Sequence, residues 1–241
     1  MNLEISVVIP VYNSGASLSD LYKGLFDTLN GNFELILVDD GSTDKSREQI
    51  VTLASEHANV RPVFLLRNCG QQEATLCGLS YARTPLVVSM DADLQHPPEL
   101  IPKMLSMLNN QNLDIVYAAA SGSGPDGFGG KMRDFLFYLL FPKSRGLRLS
   151  SFRVMRFELC ERVLNKRRGF NYFSAIVFSR PVRAASVTFD YTPRTMGKSS
   201  YNFANKAKLF MNIFIHYGPF SRLFAGKPVQ AFPIEGTENH V

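Results

Sequence analysis

Apolar runs and polar turns alternate along the first half of the chain as a repeated strand, loop and helix. Residues 5–11 are apolar and β-branched and run into Tyr12-Asn13-Ser14-Gly15, which predicts a buried parallel strand followed by a loop. Leu18, Leu21, Leu25 and Leu29 then recur at helical spacing over residues 17–29. The same logic predicts strands at 33–38, 60–66, 86–90 and 113–119, and helices at about 44–56, 72–82 and 99–109. Strands alternating with helices imply an α/β fold, a mostly parallel sheet flanked by helices, over residues 1 to about 120.

Beyond that the pattern loosens. Residues 121–130 are rich in Gly, Ser and Pro and predict a flexible lid or insertion. A helix at 132–141, a basic loop at 143–148, a segment at 150–155, a helix at 156–166 and a strand at 182–191 follow. Residues 201–224 are rich in Phe, Ile, Leu and Met, interrupted by Lys206, Lys208 and His216 and broken at Gly218-Pro219, which predicts one helix to about Tyr217 and a short second one. After Gly226 the chain reads as an unstructured tail.

Composition narrows the setting. With 45% hydrophobic and 20% charged residues, the 241-residue chain is ordinary globular protein. A net charge of +5 and a pI near 9.1 suit nucleotide diphosphates, anionic lipid surfaces or nucleic acid, or simply solubility. Cys69, Cys77 and Cys160 are odd in number and lack paired spacing, which argues against a disulfide framework and a zinc site and fits a reducing, cytoplasmic setting. The N-terminal apolar run contains a proline and lacks a basic flank, unlike a signal peptide. No stretch approaches the roughly 18 apolar residues needed to span a bilayer, so membrane contact is expected to be peripheral or through a membrane-protein partner.

Candidate chemistry gathers at the carboxyl ends of the predicted strands, where open α/β sheets bind ligands. Pro10, Tyr12 and Asn13 follow the first strand; Asp39 and Asp40 end the second, where adjacent carboxylates are costly unless they bind something. Ser42, Thr43 and Asp44 read mainly as a helix cap, with Gly41 making the turn. Asp91-Ala92-Asp93 ends the fourth strand: in extended backbone residues two apart point the same way, so both carboxylates can face one hard cation, Mg2+ or Mn2+, with Gln95 a further oxygen. There is no phosphate-binding G-x-x-x-x-G-K-[ST], no G-x-G-x-x-G after the first strand and no G-x-S-x-G. His57, His216 and His240 have no companion at ligand spacing and read as packing or surface residues, while His96 stands beside Gln95.

The ordered set Val8-Ile9-Pro10-Val11-Tyr12-Asn13, Val38-Asp39-Asp40-Gly41-Ser42-Thr43-Asp44 and Met90-Asp91-Ala92-Asp93-Leu94-Gln95-His96-Pro97 resembles family-2 glycosyltransferases, which have the GT-A, Rossmann-like fold. Ser151-Phe152-Arg153-Val154-Met155 and Arg194-x-x-Gly197-x-Ser199-x-Tyr201 extend the resemblance to the polyprenyl-phosphate branch, the dolichyl-phosphate mannose synthases and undecaprenyl-phosphate sugar transferases. The resemblance implies metal ligation by Asp91, Asp93 and Gln95; base and ribose contacts from Pro10, Tyr12, Asp39 and Asp40; and diphosphate contacts from Arg194 and Lys198 on a mobile loop. An acceptor phosphate would call on Lys131, Arg133 and Arg153. Relatives usually carry an arginine just after the fifth strand, whereas this chain has Ala118-Ala119-Ala120-Ser121.

The expectation is thus a catalytic domain over residues 1–200 (nucleotide and metal half 1–120, acceptor half 121–200), apolar interfacial helices over 201–225 and a flexible tail over 226–241. Its reaction would be an inverting, metal-dependent transfer of a sugar from a UDP- or GDP-linked donor to a polyprenyl phosphate at the inner membrane face, with no nucleic-acid partner. The apolar helices fit a membrane interface, docking on the domain, or a homo-oligomer contact. A carbohydrate hydroxyl acceptor is the alternative and would need a base, for which Asp126, Asp134 and Glu158 are candidates. An inactive nucleotide-binding scaffold is the third reading.

Overall fold

The computed structural model describes residues 4–121, 137–190, 211–218 and 231–235. Strand β1 (Ile5–Val11) leads through a short 3-10 turn into helix α1 (Leu18–Leu29), β2 (Phe33–Asp39) into α2 (Ser46–Glu56), and β3 (Val60–Phe64) into α3 (Gln71–Tyr81). Then come β4 (Leu86–Ser89), α4 (Ile101–Asn110) and β5 (Ile115–Ser121), followed by β6 (Arg153–Arg156), α5 (Phe157–Leu164), α6 (Phe173–Phe178) and β7 (Ala184–Asp190). Residues 137–140 and 211–217 are also helical.

The strands form one seven-stranded sheet in the order β3-β2-β1-β4-β6-β5-β7. All neighbours run parallel except β6, which lies antiparallel between β4 and β5. Alternation along each strand splits the core: Val7, Ile9, Val11, Leu35 and Leu37 meet α1, α2 and α4, while Val8, Ile36 and Val38 meet α3 and share a second cluster with α5 and α6. Both faces of the central strands are therefore apolar, as a parallel sheet covered by helices requires.

Departures from the pattern have local causes. The helix expected from 99 begins as a 3-10 turn, Pro98–Leu100, and settles into α4 at Ile101, with proline tolerated where the amide has no partner. Helix α6 carries no periodic signal in the sequence, because all six of its residues are buried and no polar face marks a helical period. The segment at 150–155 proves to be the antiparallel strand β6. In the stretch expected to be an unstructured tail, Ile234 bridges Leu65 antiparallel, and the Leu66 and Glu235 amides donate to Pro233 and Phe64 carbonyls, which covers the end of the β3 edge. Among the described residues no helix is long and apolar enough to cross a membrane.

Candidate active site

Strands β1, β2 and β4 end side by side, and β1 sits where the strand order reverses, so the loops after Val11, Asp39 and Ser89 meet over one crevice. The first two loops are laced together. Asn13, in the left-handed region at φ 50°, donates its amide to Ser42 Oγ and accepts the Thr43 amide at Oδ1 (2.8 Å). The Ser14 amide donates to Ser46 Oγ, and Asp44 accepts amides from Gly15 and Ser46. Asn13 therefore locks the two loops together through its amide and Oδ1, and Asp44 joins Gly15 to the start of α2, taking the amide of Ser46, the first residue of that helix. Tyr12, 49% exposed, keeps its ring in solvent beside this knot, with Pro10 half-buried at the end of β1.

The two aspartates expected to bind nucleotide have different surroundings. Both are 2% exposed. Asp39 takes the Ser42 amide on Oδ1, whereas both oxygens of Asp40 are engaged, Oδ1 by the Cys69 amide (2.6 Å) and Oδ2 by the Gly70 amide (2.9 Å). Burial pushes the Asp40 carboxyl above its ordinary range; those two amides pull it back and the neighbouring Asp39 charge adds to the rise. Asp40 thus anchors the loop leading into α3 through both of its oxygens. Gly41, at φ 69°, lets the backbone pass that loop, since a Cβ there would lie 2.7 Å from the Asn68 amide nitrogen.

The acidic turn after β4 is held from several elements. Ala92 packs inward, 4% exposed, and Ser17 Oγ donates to its carbonyl. The Asp91 amide donates to His96 Nδ1 (3.0 Å), and the His96 ring stacks on Phe152. Asp93 Oδ1 accepts the Gln95 amide, and Leu94 adopts φ 61°. Gln71 Nε2 donates to Asp91 Oδ1 (2.5 Å) and Ser151 Oγ to Asp91 Oδ2 (2.7 Å). Both donors are neutral, and the carboxylate, with about four acceptor directions, keeps lone pairs for a cation. Among the described residues no group of three or more His, Cys, Asp or Glu side chains converges. Two carboxylates that leave other coordination positions to water or phosphate oxygens suit Mg2+ or Mn2+.

Arg153 opens β6, between β4 and β5. Its register partners are Ser89 on β4 and Tyr117 on β5, it is 2% exposed, and its Cζ sits 3.6 Å from the centroid of the Phe173 ring. Its Nε has no hydrogen-bond partner among the described residues. Burial lowers the guanidinium pKa, while Tyr117 and Asp91 act in the opposite direction. Arg153 is thus held inside the sheet against the Phe173 ring rather than exposed to solvent.

On the acceptor side, Arg148 Nη1 donates to the Ala120 carbonyl (3.3 Å), so an exposed guanidinium from a distant loop stands at the end of β5, next to the Ala118-Ala119-Ala120 run. Ser121 Oγ donates to Asp190 Oδ1 (2.9 Å) where β5 and β7 end together. Glu158 does not reach this region. Because β6 runs antiparallel, from Arg153 beside Ser89 to Arg156 beside Leu86, Glu158 in the first turn of α5 lies at the opposite edge of the sheet. Lys131, Arg133, Arg194 and Lys198, with Asp126 and Asp134, lie outside the described residues. Sequence patterns gave no role to Gln71, Ser151 or Arg148; Ser151 alone carried a signal, its place in the Ser151-Phe152-Arg153 motif.

Residues 6–184, from β1 to the first residue of β7, match the family model described as glycosyl transferase family 2. The chain belongs to glycosyl transferase family 2. An uncharacterized family relative, a glycosyltransferase of Synechocystis, is 28% identical over 210 residues, 84% of this chain, and the chain spans 66% of that relative's length. Among solved structures, glucosyl-3-phosphoglycerate synthase of Mycobacterium tuberculosis in complex with Mn2+, UDP-glucose and phosphoglyceric acid superposes with a TM-score of 0.69 at 20% identity, covering 89% of this chain and 80% of that one. TarS of S. aureus in complex with UDP-GlcNAc reaches 0.62 at 18% identity, covering 91% and 69%. These likenesses establish the fold that the family-2 chain shares with them.

Proposed function

We propose that this family-2 glycosyltransferase moves a sugar, with inversion, from a nucleoside-diphosphate donor to a polyprenyl phosphate, using Mg2+ or Mn2+ held at Asp91 and Asp93 with Gln95 beside them. The observation that carries the donor half is the Asp91–Asp93 turn at the end of β4, with Asp39 at the end of β2 on the other side of β1, at the crevice where open α/β sheets take nucleotides. The Mn2+ and UDP-glucose in the mycobacterial complex support the same reading. When bound, the metal neutralises charge on the departing diphosphate. Asp39 accepts hydrogen bonds from base or ribose, Tyr12 covers the base with its ring, and Arg194 and Lys198 close on the diphosphate.

A phosphate monoester, with a second pKa near ~6, is already an anionic nucleophile, so the acceptor side needs cations rather than a base. Arg148 at the end of β5 supplies one, with Lys131 and Arg133 as further candidates. Leu139, Met211 and Phe214 are exposed on helical segments whose Phe137 and Ile213 are buried in the core, which supports peripheral placement at a membrane. In the test, the protein is incubated with labelled UDP- and GDP-sugars, Mn2+ and undecaprenyl phosphate. Label enters the organic phase and is lost in Asp93→Ala; label confined to a water-soluble product rejects the lipid acceptor, and donor binding without turnover supports a scaffold.

One observation favours a second reading, a hydroxyl acceptor. Asp190, bonded to Ser121 at the carboxyl edge of the sheet, would then supply the base.

A further inference from the structure

The first turn of α3 touches a different wall of the site with each residue. The Gly70 amide is held by Asp40 Oδ2, Gln71 Nε2 donates to Asp91 Oδ1, and Gln72 Oε1 accepts the Phe173 amide of α6 (3.0 Å). Glu73 accepts from Arg167 Nη2 (3.1 Å) and Asn171 Nδ2 (2.7 Å). Of these, Gln71 is the residue whose geometry the fold does not need. It is exposed at the first position of the helix, yet its side chain gives up rotamer freedom to hold one carboxylate oxygen at 2.5 Å.

We propose that Gln71 is a positioning residue for the metal site: with Ser151 on the other oxygen, it fixes the plane in which Asp91 meets the cation. A free aspartate rotates about its terminal bond, and a carboxylate gripped at both oxygens does not. A neutral amide orients the carboxylate without competing for its charge, as a lysine or arginine at 71 would. The hydrogen bond leaves each oxygen a lone pair for the metal, and through Gly70 and Asp40 the same turn is tied to the donor loop. The inference rests on the reading of Asp91 as a metal ligand, and outer-sphere partners of that kind typically change metal affinity about 10–100-fold.

The experiment measures Mn2+ binding in the presence of UDP by the electron paramagnetic resonance signal of free Mn2+. It compares the wild type with Gln71→Ala, Gln71→Met and Asp91→Ala, alongside thermal midpoints and the Mn2+ dependence of turnover. Both Gln71 variants are expected to bind Mn2+ about 10-fold more weakly or worse. They should raise the Mn2+ concentration for half-maximal activity more than they lower saturated kcat, and move Tm by no more than about 2 °C. Wild-type Mn2+ affinity in the Gln71 variants, with affinity lost in Asp91→Ala, overturns the inference alone. A weakening of Mn2+ binding that comes with a large fall in Tm also overturns it, because the role is then structural. Unchanged Mn2+ binding in Asp91→Ala removes the metal-site reading itself.

Discussion

The Asp91 amide donates a 3.0 Å hydrogen bond to His96 Nδ1, so the histidine five residues on closes the acidic turn from below. The His96 ring in turn stacks on Phe152, 5.0 Å between centroids, which ties the turn to the segment entering β6. Without that acceptor the amide is left to water and the two aspartates lose their relative placement. His96→Ala is expected to weaken Mn2+-dependent donor turnover about 10-fold, on the scale of other orienting contacts. His96→Asn, whose side-chain oxygen falls near the Nδ1 position, retains more. Titration of activity with Mn2+ checks both, and equal activity of Ala and wild type at limiting Mn2+ contradicts the role.

Gly78 faces β1 from the middle of α3, where a Cβ would lie 2.3 Å from Val8 Cγ1 and 3.0 Å from Val38 Cγ2. Gly78→Ala must push α3 off the sheet, and overpacking of this kind costs about 1–3 kcal/mol. Calorimetry should show a fall in Tm of on the order of 2–4 °C per kcal/mol. Because α3 carries Gln71, the variant should also bind Mn2+ more weakly; an unshifted Tm refutes the close approach.

Asp114 and Arg183 tie the starts of β5 and β7, with Arg183 Nη2 2.7 Å from Asp114 Oδ1 and the Arg183 amide 2.8 Å from Oδ2. Burial raises the Asp114 carboxyl, but the hydrogen bonds and charge of Arg183 outweigh it and hold the group below its ordinary range. A depressed folded-state pKa gives stability that is complete above the unfolded value, about 3.9, and is lost as pH falls through the lower folded value. Asp114→Asn should therefore be less stable than wild type by on the order of 1 kcal/mol near neutrality, the pair being partly exposed. The difference should vanish in strong acid; urea midpoints across pH 2–7 test the slope, and a constant gap refutes it.

Phe232 covers Arg167, whose guanidinium carbon sits 3.4 Å from the ring centroid and whose side chain is 5% exposed beside Glu73. Arg47 and Glu235 pair at the exposed end of the same segment. Phe232→Ala uncovers a buried cation and is expected to cost about 1–2 kcal/mol. Arg47→Ala removes a solvent-screened pair and should cost less than about 1 kcal/mol. Denaturant midpoints that rank the two in the opposite order would show that the exposed pair, not the ring, holds the segment.

Much of the donor half was legible in the sequence because it is written locally. The apolar runs of β1, β2 and β4 announce buried parallel strands, and carboxylates directly after them, Asp39 and Asp91 to Asp93, fall at strand ends wherever the strands pair. The share of work among those residues was not legible. Asp39 and Asp40 are adjacent and alike, yet contacts with Cys69 and Gly70, 29 and 30 residues away, tie Asp40 to the loop before α3.

By itself, then, the sequence determined the alternation of strands and helices, the order of the polar loops and the acidic turn, all consequences of side-chain periodicity and backbone propensity over a few residues. Tertiary structure alone decided what surrounds that turn. Gln71 reaches Asp91 across 20 residues, Ser151 across 60, and Arg148 meets Ala120 across 28. It also decided that β6 enters the sheet antiparallel, which buries Arg153 between β4 and β5 and carries Glu158 to the far edge. No local rule encodes these contacts, because strand direction and pairing are settled by burying two apolar faces at once across the whole sheet.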